Sequence, residues 1–143
     1  MAFSNPSAAA MATLLRRARI VAIVGLSDNP RRPSYEAACT LSDYGYRIVP
    51  VNPALAVWEG IRAVPDLDHV AEVLGPGEQV DIVDVFRPPE QVPAIVDDCI
   101  RLGLPALWLQ LDIVDEASAE RAAAAGITVV MDRCIKVERT RMG

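Results

Sequence analysis

The chain has 143 residues, 52% of them apolar and 23% charged, which fits one globular domain with its own core. Its formal net charge of −5 argues against nucleic acid or an anionic membrane surface as a partner. Three cysteines without a CxxC spacing predict neither a disulfide framework nor a metal site, and no signal-peptide layout or run of about 18 apolar residues is present, so a cytoplasmic protein is expected.

The first half of the chain begins with a predicted N-terminal segment, residues 1–18. This segment contains a short helix over 7–17, because Met11, Leu14 and Leu15 recur at helical spacing. The domain itself is predicted over 19–143 and opens with a β-branched strand at 19–24. A polar loop leads to a helix over about 34–44, which Gly45 ends, and a second strand follows at 46–51.

The second half alternates strands and helices more regularly. Residues 54–65 are less regular, with a short strand near 61–64, and a short helix over 66–74 follows with Asp66 as N-cap. Strands are predicted at 81–86, 106–109 and 127–131; Pro88 and Pro89 open one intervening helix, Asp112 or Asp115 caps the other, and a charged tail ends the chain. This pattern predicts an α/β fold, a doubly wound, mostly parallel sheet in a Rossmann-like three-layer α/β/α arrangement.

The loop after the first strand contains the residues that indicate a phosphate-binding site. A strand that ends in glycine, a polar loop and a helix start together form a common phosphate-binding arrangement, because helix N–H groups and the positive end of the helix dipole favour an anion. Arg31 and Arg32 would add guanidinium groups suited to phosphate oxygens. The alternative interpretation is an ordinary strand–turn–helix with solvated arginines.

The loop does not match the fingerprint of NAD-binding domains. That fingerprint has three glycines after the first strand and an acidic residue at the end of the second. Here Gly25 is followed by a stiffer, polar loop, and the second strand ends in Val51, Asn52 and Pro53. The residues therefore favour another nucleotide-bearing ligand, or none.

Five motifs, taken together, resemble the small CoA-binding proteins. They are G-L-S-x-x-P-x-R-P-S-Y (25–35), G-Y-R-I-V-P-V-N-P (45–53), V-D-I-V-D-V-F-R (80–87), L-W-L-Q (107–110) and V-V-M-D-R-C (129–134). Members of that family are single Rossmann-like domains related to the coenzyme A (CoA)-binding domain of succinyl-CoA synthetase α-subunits. The resemblance implies CoA lying across the carboxyl ends of the strands.

The resemblance also implies a set of cofactor-binding residues, and the chain departs from the family pattern at two positions. Aspartate stands at Asp112, where glycine is expected, and arginine at Arg139, where histidine is frequent; the charge of Asp112 makes Gln110 a doubtful contact. The implied CoA-binding residues are Gly25, Leu26, Ser27, Asn29, Pro30, Arg31, Arg32, Ser34, Tyr35, Asn52, Pro53, Phe86 and Arg87.

We find no catalytic constellation in the sequence. The single histidine, His69, lies in a charged segment, and no G-x-S-x-G motif occurs. The leading hypothesis is therefore non-catalytic binding of CoA or a short acyl-CoA, in a sensing, carrier or regulatory role. A nicotinamide-dependent oxidoreductase, the CoA subunit of an acyl-CoA ligase completed by a partner chain, and a domain that has lost its ligand stay open, as do a homodimer and the acyl group.

Overall fold

The computed structural model describes residues 2–142. Short β-branched strands alternate with helices, as the hydrophobic pattern predicts. Along the chain the elements are α1 (Ala8–Arg17), β1 (Ile20–Val24), α2 (Pro33–Asp43), β2 (Arg47–Val51), β3 (Val57–Trp58), β4 (Ile61–Arg62), a 3₁₀ helix (Leu67–Val73), β5 (Ile82–Val85), a 3₁₀ turn (Pro89–Gln91), α3 (Val92–Leu102), β6 (Ala106–Leu109), α4 (Glu116–Ala124), β7 (Thr128–Val130) and α5 (Ile135–Arg141).

Five of the strands form one parallel sheet in the order β2-β1-β5-β6-β7. The register places Ile23 of β1 beside Pro50 of β2 on one side and beside Asp84 of β5 on the other. The chain runs outward from β1 in one direction and from β5 in the other, so the strand order reverses between these two strands. This is the topological switch point at which α/β sheets form a ligand crevice.

Helices cover both faces of the sheet, which confirms the three-layer α/β fold. Side chains alternate along each strand, so Val21 and Ile23 pack towards α1, α2 and α5, whereas Ala22 and Val24 pack towards α3, α4 and the 3₁₀ helix. Every residue of β1 is buried. Near-continuous apolar strands are what a sheet covered on both sides requires.

Two helix boundaries follow from local chemistry. Asp115 caps α4, since its Oδ1 accepts a hydrogen bond from the Ser118 N–H at 3.0 Å, and Asp112 is not the cap. Gly103 ends α3 in a left-handed conformation with φ +66°, and its N–H donates to the carbonyl groups of the last turn.

Three predicted elements take a different form in the structure. The strand expected over 61–64 is a two-residue hairpin arm followed by a bridge from Val64 to Val51. The helix expected over 66–74 is a 3₁₀ helix, and the Asp66 side chain contacts the His69 ring instead of capping. The expected charged tail forms α5, because fully buried Ile135 anchors it against α2.

The N-terminal segment packs against the rest of the chain. Met11 and Leu15 of α1 are buried, and the Tyr46 hydroxyl donates to the Leu15 carbonyl. Upstream of α1, the Asn5 side chain donates to the Met131 carbonyl at 2.8 Å and accepts from the Met131 N–H at 2.7 Å. Within residues 2–142, no helix combines the length and the apolar content that crossing a membrane requires.

Candidate functional site

A cavity of about 490 Å³ lies at the carboxyl edge of the sheet, where β1 and β5 part. Its walls come from the loop after β1, the start of α2, the segment after β2 and the residues after β5. They are Gly25, Ser27, Asp28, Arg32, Pro33, Ser34, Asn52, Ala54, Leu55, Phe86 and Arg87. We call this the first cavity; its volume lies within the range of small-molecule sites.

Gly25 lets the ends of β1 and β5 approach each other. Its φ is +86°, and a Cβ at this position would lie 2.5 Å from the Phe86 carbonyl oxygen and 3.1 Å from Cδ and Nε of Arg87. Its N–H donates to the Val51 carbonyl at 2.8 Å. Since a side chain at this position meets both a backbone clash and an unfavourable conformation, only glycine fits here without strain.

Polar side chains of the loop bond back to the loop itself. The Ser34 Oγ accepts from the Ser27 N–H, the Ser27 Oγ from the Asn29 N–H, and the Asn29 Oδ1 from the Arg31 N–H, each at 3.0 Å. Ser34 is only 4% exposed. These predicted site residues therefore hold the loop in shape, as hydroxyl and amide side chains do in tight turns.

The β3–β4 hairpin packs against the loop that follows β1 and holds it in place. Trp58 is buried and its Nε1–H donates to the Ser27 carbonyl at 3.1 Å. The Tyr35 hydroxyl donates to the Glu59 carboxylate, and this hydrogen bond raises the pKa of Tyr35 to about 12. The Tyr35 ring meets Trp58 edge-on at a centroid distance of 5.2 Å. This support was not predicted; the signal for it in the sequence was a tryptophan in an otherwise irregular segment.

Two arginines give the first cavity its positive charge. Arg32 precedes the first residue of α2 and Arg87 follows β5, and both line the cavity. Within residues 2–142, neither forms an ion pair with a carboxylate. Asp28 is the acidic residue of the lining, and it is exposed to solvent. Unpaired guanidinium groups beside a helix start suit a phosphate.

The structure brings together about half of the residues predicted to bind the cofactor. Gly25, Ser27, Arg32, Ser34, Asn52, Phe86 and Arg87 line the first cavity. The others lie outside its walls; they are Leu26, Asn29, Pro30, Arg31, Tyr35 and Pro53. For both groups, contact with CoA stays a prediction.

Two of the predicted cofactor-binding residues, Leu26 outside the cavity and Asn52 in its wall, have clear structural roles. Leu26 is fully buried in the core, and its carbonyl accepts a hydrogen bond from Asn52, so neither its side chain nor its backbone is open to a ligand in this structure. Asn52 donates from Nδ2 to the Leu26 carbonyl at 3.0 Å and accepts at Oδ1 from the Ala54 N–H at 2.9 Å. Asn52 therefore ties the end of β2 to the loop while it lines the cavity.

A second cavity of about 450 Å³ adjoins the first. Pro33, Phe86 and Arg87 line both, so the two cavities form one continuous crevice across the carboxyl edge. The remaining walls of the second cavity are Pro88, Gln110, Leu111, Asp112, Ile113 and Cys134. No group of three residues able to hold a metal ion occurs in the described part of the chain.

A carboxyl group is buried in the strand that supplies Phe86. Asp84 lies on β5 between Ile23 and Trp108 of the neighbouring strands and is fully buried. Neither carboxyl oxygen has a hydrogen-bond partner among the described residues. Because burial disfavours the charged form, the pKa of Asp84 is raised well above its ordinary value.

Comparison with known proteins assigns the chain to a family. Residues 19–140 match the family described as CoA binding domain. The chain belongs to this family. It is 40% identical over 133 residues to an uncharacterized protein of Bacillus subtilis (strain 168), YneT. The matched region covers 93% of this chain and 94% of YneT.

Solved structures with the same fold include a small protein and part of a large one. A Thermus thermophilus protein described as cell-free ID.343 is 33% identical, with a TM-score of 0.86 over 96% of this chain and 100% of that one. A dinucleotide-forming acetyl-coenzyme A synthetase 1 of Ca. Korarchaeum cryptofilum is 22% identical, with a TM-score of 0.65 over 79% of this chain and 26% of that one. This second likeness shows a shared fold alone.

Proposed function

We propose that the protein binds CoA or a short acyl-CoA in the crevice without transforming it, in a sensing, carrier or regulatory role. The observation that carries this proposal is the first cavity at the switch point, which Arg32, at the start of α2, and Arg87 line with no carboxylate partner among residues 2–142. The chain's membership of a CoA-binding family gives the ligand class. CoA carries a diphosphate and a 3′-phosphate, so it matches this charge.

In this proposal the phosphates lie at the start of α2. Arg32 and Arg87 donate charge-assisted hydrogen bonds to them, and the dipole of α2 adds to the attraction. The pantetheine arm then runs past Pro33 and Phe86 into the second cavity, because these residues line both cavities. Asp28 remains turned to solvent, where water screens its charge.

The end of β2 favours CoA over a nicotinamide dinucleotide. NAD sites use an acidic residue there to bind the ribose diol. This chain has Asn52 at that place, and its amide oxygen and nitrogen are engaged by Ala54 and Leu26. A diol ligand would meet no carboxylate from β2, which argues against the oxidoreductase alternative.

The non-catalytic part of the proposal is supported by the hydrogen bonds that the serine side chains of the lining make within the loop. The hydroxyl groups of Ser27 and Ser34 accept hydrogen bonds from loop N–H groups, so they shape the cavity. A cytoplasmic location is part of the same proposal, since all three cysteines are unpaired. A second chain that co-purifies with the protein and forms acyl-CoA with it would instead support the ligase alternative.

Calorimetric titration with CoA, 3′-dephospho-CoA and NAD tests the proposal. We expect CoA to bind, dephospho-CoA to bind about tenfold more weakly, equivalent to about 1.4 kcal/mol, and NAD to give no heat. If NAD binds and CoA gives no heat of binding, the proposal is overturned in favour of an oxidoreductase. If none of the three ligands gives a heat of binding, a domain that has lost its ligand is favoured.

A further inference from the structure

The second cavity differs from the first in the character of its walls. It lies on the β6 and β7 side of the crevice, and apolar side chains form most of its surface, among them Phe86, Pro88, Leu111 and Ile113. Such a surface suits a short hydrocarbon group better than a phosphate. If CoA binds as proposed above, its acyl end faces this cavity.

One buried polar side chain offers a hydrogen bond in this cavity. Gln110 is 5% exposed and lines the cavity. Its Oε1 accepts from the Ile135 N–H at 3.2 Å, which fixes the orientation of the amide. Its amide nitrogen has no acceptor among the described residues. The free donor suits a carbonyl oxygen, such as that of a thioester.

Asp112 is held in an unusual backbone conformation at the mouth of the cavity. Its φ is +69°, a left-handed value that glycine adopts at lower energy. The Asp112 N–H donates to Oδ1 of Asp132 at 2.7 Å, and Asp132 is left-handed as well, with φ +59°. The Asp112 carboxylate itself has no ion-pair or hydrogen-bond partner within residues 2–142. A strained position therefore carries an uncompensated negative charge beside an apolar cavity.

The nearby arginines are directed elsewhere. Arg87 lines both cavities, but its Cδ and Nε lie over Gly25, on the side of the first cavity. Arg133 donates from Nη1 to the Asp132 carbonyl at 3.2 Å and is exposed. With the phosphates of CoA drawing Arg87 towards the first cavity, an acyl group meets Asp112 as the acidic residue of the cavity wall, with the Asp132 carboxylate behind it on the Asp112 N–H.

We propose that Asp112 makes the second cavity selective for uncharged short acyl groups and against acyl groups that end in a carboxylate. A terminal carboxylate of the ligand would lie near Asp112, and like charges repel; because Asp112 is exposed, water screens part of this repulsion, as it does for Asp28. An acetyl group carries no charge and meets the apolar wall and the Gln110 donor. This inference rests on the proposed function.

Titration with CoA, acetyl-CoA and succinyl-CoA tests the inference. For the natural chain we expect acetyl-CoA to bind about fivefold more tightly than succinyl-CoA, the size of an interaction between exposed charges, and for Asp112→Asn and Asp112→Gly we expect the two affinities to come within about twofold. Asp112→Gly should also unfold at a higher temperature, because glycine relaxes the backbone. The matched control is Asp28→Asn, the same charge change in the first cavity, which should keep the acetyl preference.

The outcomes separate this inference from the function on which it rests. If CoA itself fails to bind, the proposed function is wrong and the inference falls with it. If CoA binds but the natural chain holds acetyl-CoA and succinyl-CoA equally, the inference alone is wrong. A preference for acetyl-CoA that survives in Asp112→Asn would also overturn it, because another group would then be the selector.

Discussion

The two cavities of the crevice share three residues, yet their backbones are held in shape differently. In the first, glycine occupies the left-handed position at Gly25, and loop side chains such as Ser34 bond back to the loop. In the second, Asp112 occupies the left-handed position and keeps its carboxylate free. The first cavity therefore presents backbone and arginine groups to a ligand, whereas the second adds to the shared Arg87 an apolar wall, the Gln110 amide and the Asp112 carboxylate.

The largest effect is expected from adding a methyl group at the first left-handed position. In Gly25→Ala, the new Cβ would lie 2.5 Å from the Phe86 carbonyl, so β1 and β5 must separate at the crevice. We expect CoA affinity to fall by about 100-fold, equivalent to about 2.7 kcal/mol, together with a clear loss of thermal stability. Calorimetry and thermal unfolding measure the two effects.

The control for this change is Gly45→Ala. Gly45 has a similar φ of +95°, but a Cβ there meets no atom within 4 Å. The control should lose some stability from backbone strain and keep its CoA affinity. Equal losses of affinity in the two variants would show that the close approach at Gly25 is not what shapes the site.

The next effect separates two adjacent arginines of the loop. Arg32 lines the first cavity, and the exposed Arg31 lies outside its walls. We expect Arg32→Ala to weaken CoA binding by roughly 10- to 100-fold, the loss of a charge-assisted hydrogen bond, and Arg31→Ala by less than about threefold. Titrations at low and high salt check the difference, since only Arg32→Ala should markedly reduce the salt dependence. The reverse ranking would place the phosphates outside the first cavity.

A third test concerns the strand that borders both cavities. Because its pKa is raised, Asp84 keeps its proton in the folded chain at pH values where the unfolded chain has released it. Its stabilising contribution is complete below about pH 4 and is lost as pH rises towards the raised pKa, by about 1.4 kcal/mol per pH unit. In Asp84→Asn this slope should be absent.

Urea unfolding between pH 4 and pH 8 measures this effect. The difference in unfolding free energy between Asp84→Asn and the natural chain should move in favour of the variant as pH rises. Asp28→Asn, a change at an exposed carboxylate, is the control and should show no such trend. A difference that does not vary with pH would mean that the Asp84 carboxyl ionises normally.

The smallest effect is expected from the hydroxyl that holds the loop. In Ser34→Ala, the Ser27 N–H loses its acceptor, which should cost about 1 kcal/mol of stability and weaken CoA binding by roughly threefold. Ser42→Ala, an exposed position on the same helix, should change neither quantity. Thermal unfolding and calorimetry distinguish the two variants, and unchanged binding in Ser34→Ala would argue that the loop keeps its shape without this bond.

The fold and the position of the crevice were predictable because hydrophobic periodicity and glycines mark elements that pack on a sheet. Gly25, Arg32 and Arg87 were predicted among the cofactor-binding residues; in the structure they line one cavity, and their contact with CoA stays a prediction. It did not distinguish Arg32 from Arg31, because spacing along a loop does not tell which side chain turns inward.

Other features escaped the sequence because they depend on tertiary partners. Leu26 was predicted among the cofactor-binding residues of the loop, but its side chain lies in the core. The tail was predicted only as charged, yet it forms a seven-residue helix that buries Ile135 and pairs Lys136 with Glu36 of α2. Trp58 lay in an irregular segment, and only the structure shows that it supports the loop from across the hairpin.

The paired hydrogen bonds between Asn5 and Met131 bear on solubility. β7 is the outermost strand on its side of the sheet, and outer strands offer unpaired backbone groups to which another chain can add. The Asn5 amide occupies both backbone groups of Met131, directly after β7, much as a neighbouring strand would. Asn5 thus covers the end of this edge at Met131, and its removal would free these two backbone groups for pairing with another chain.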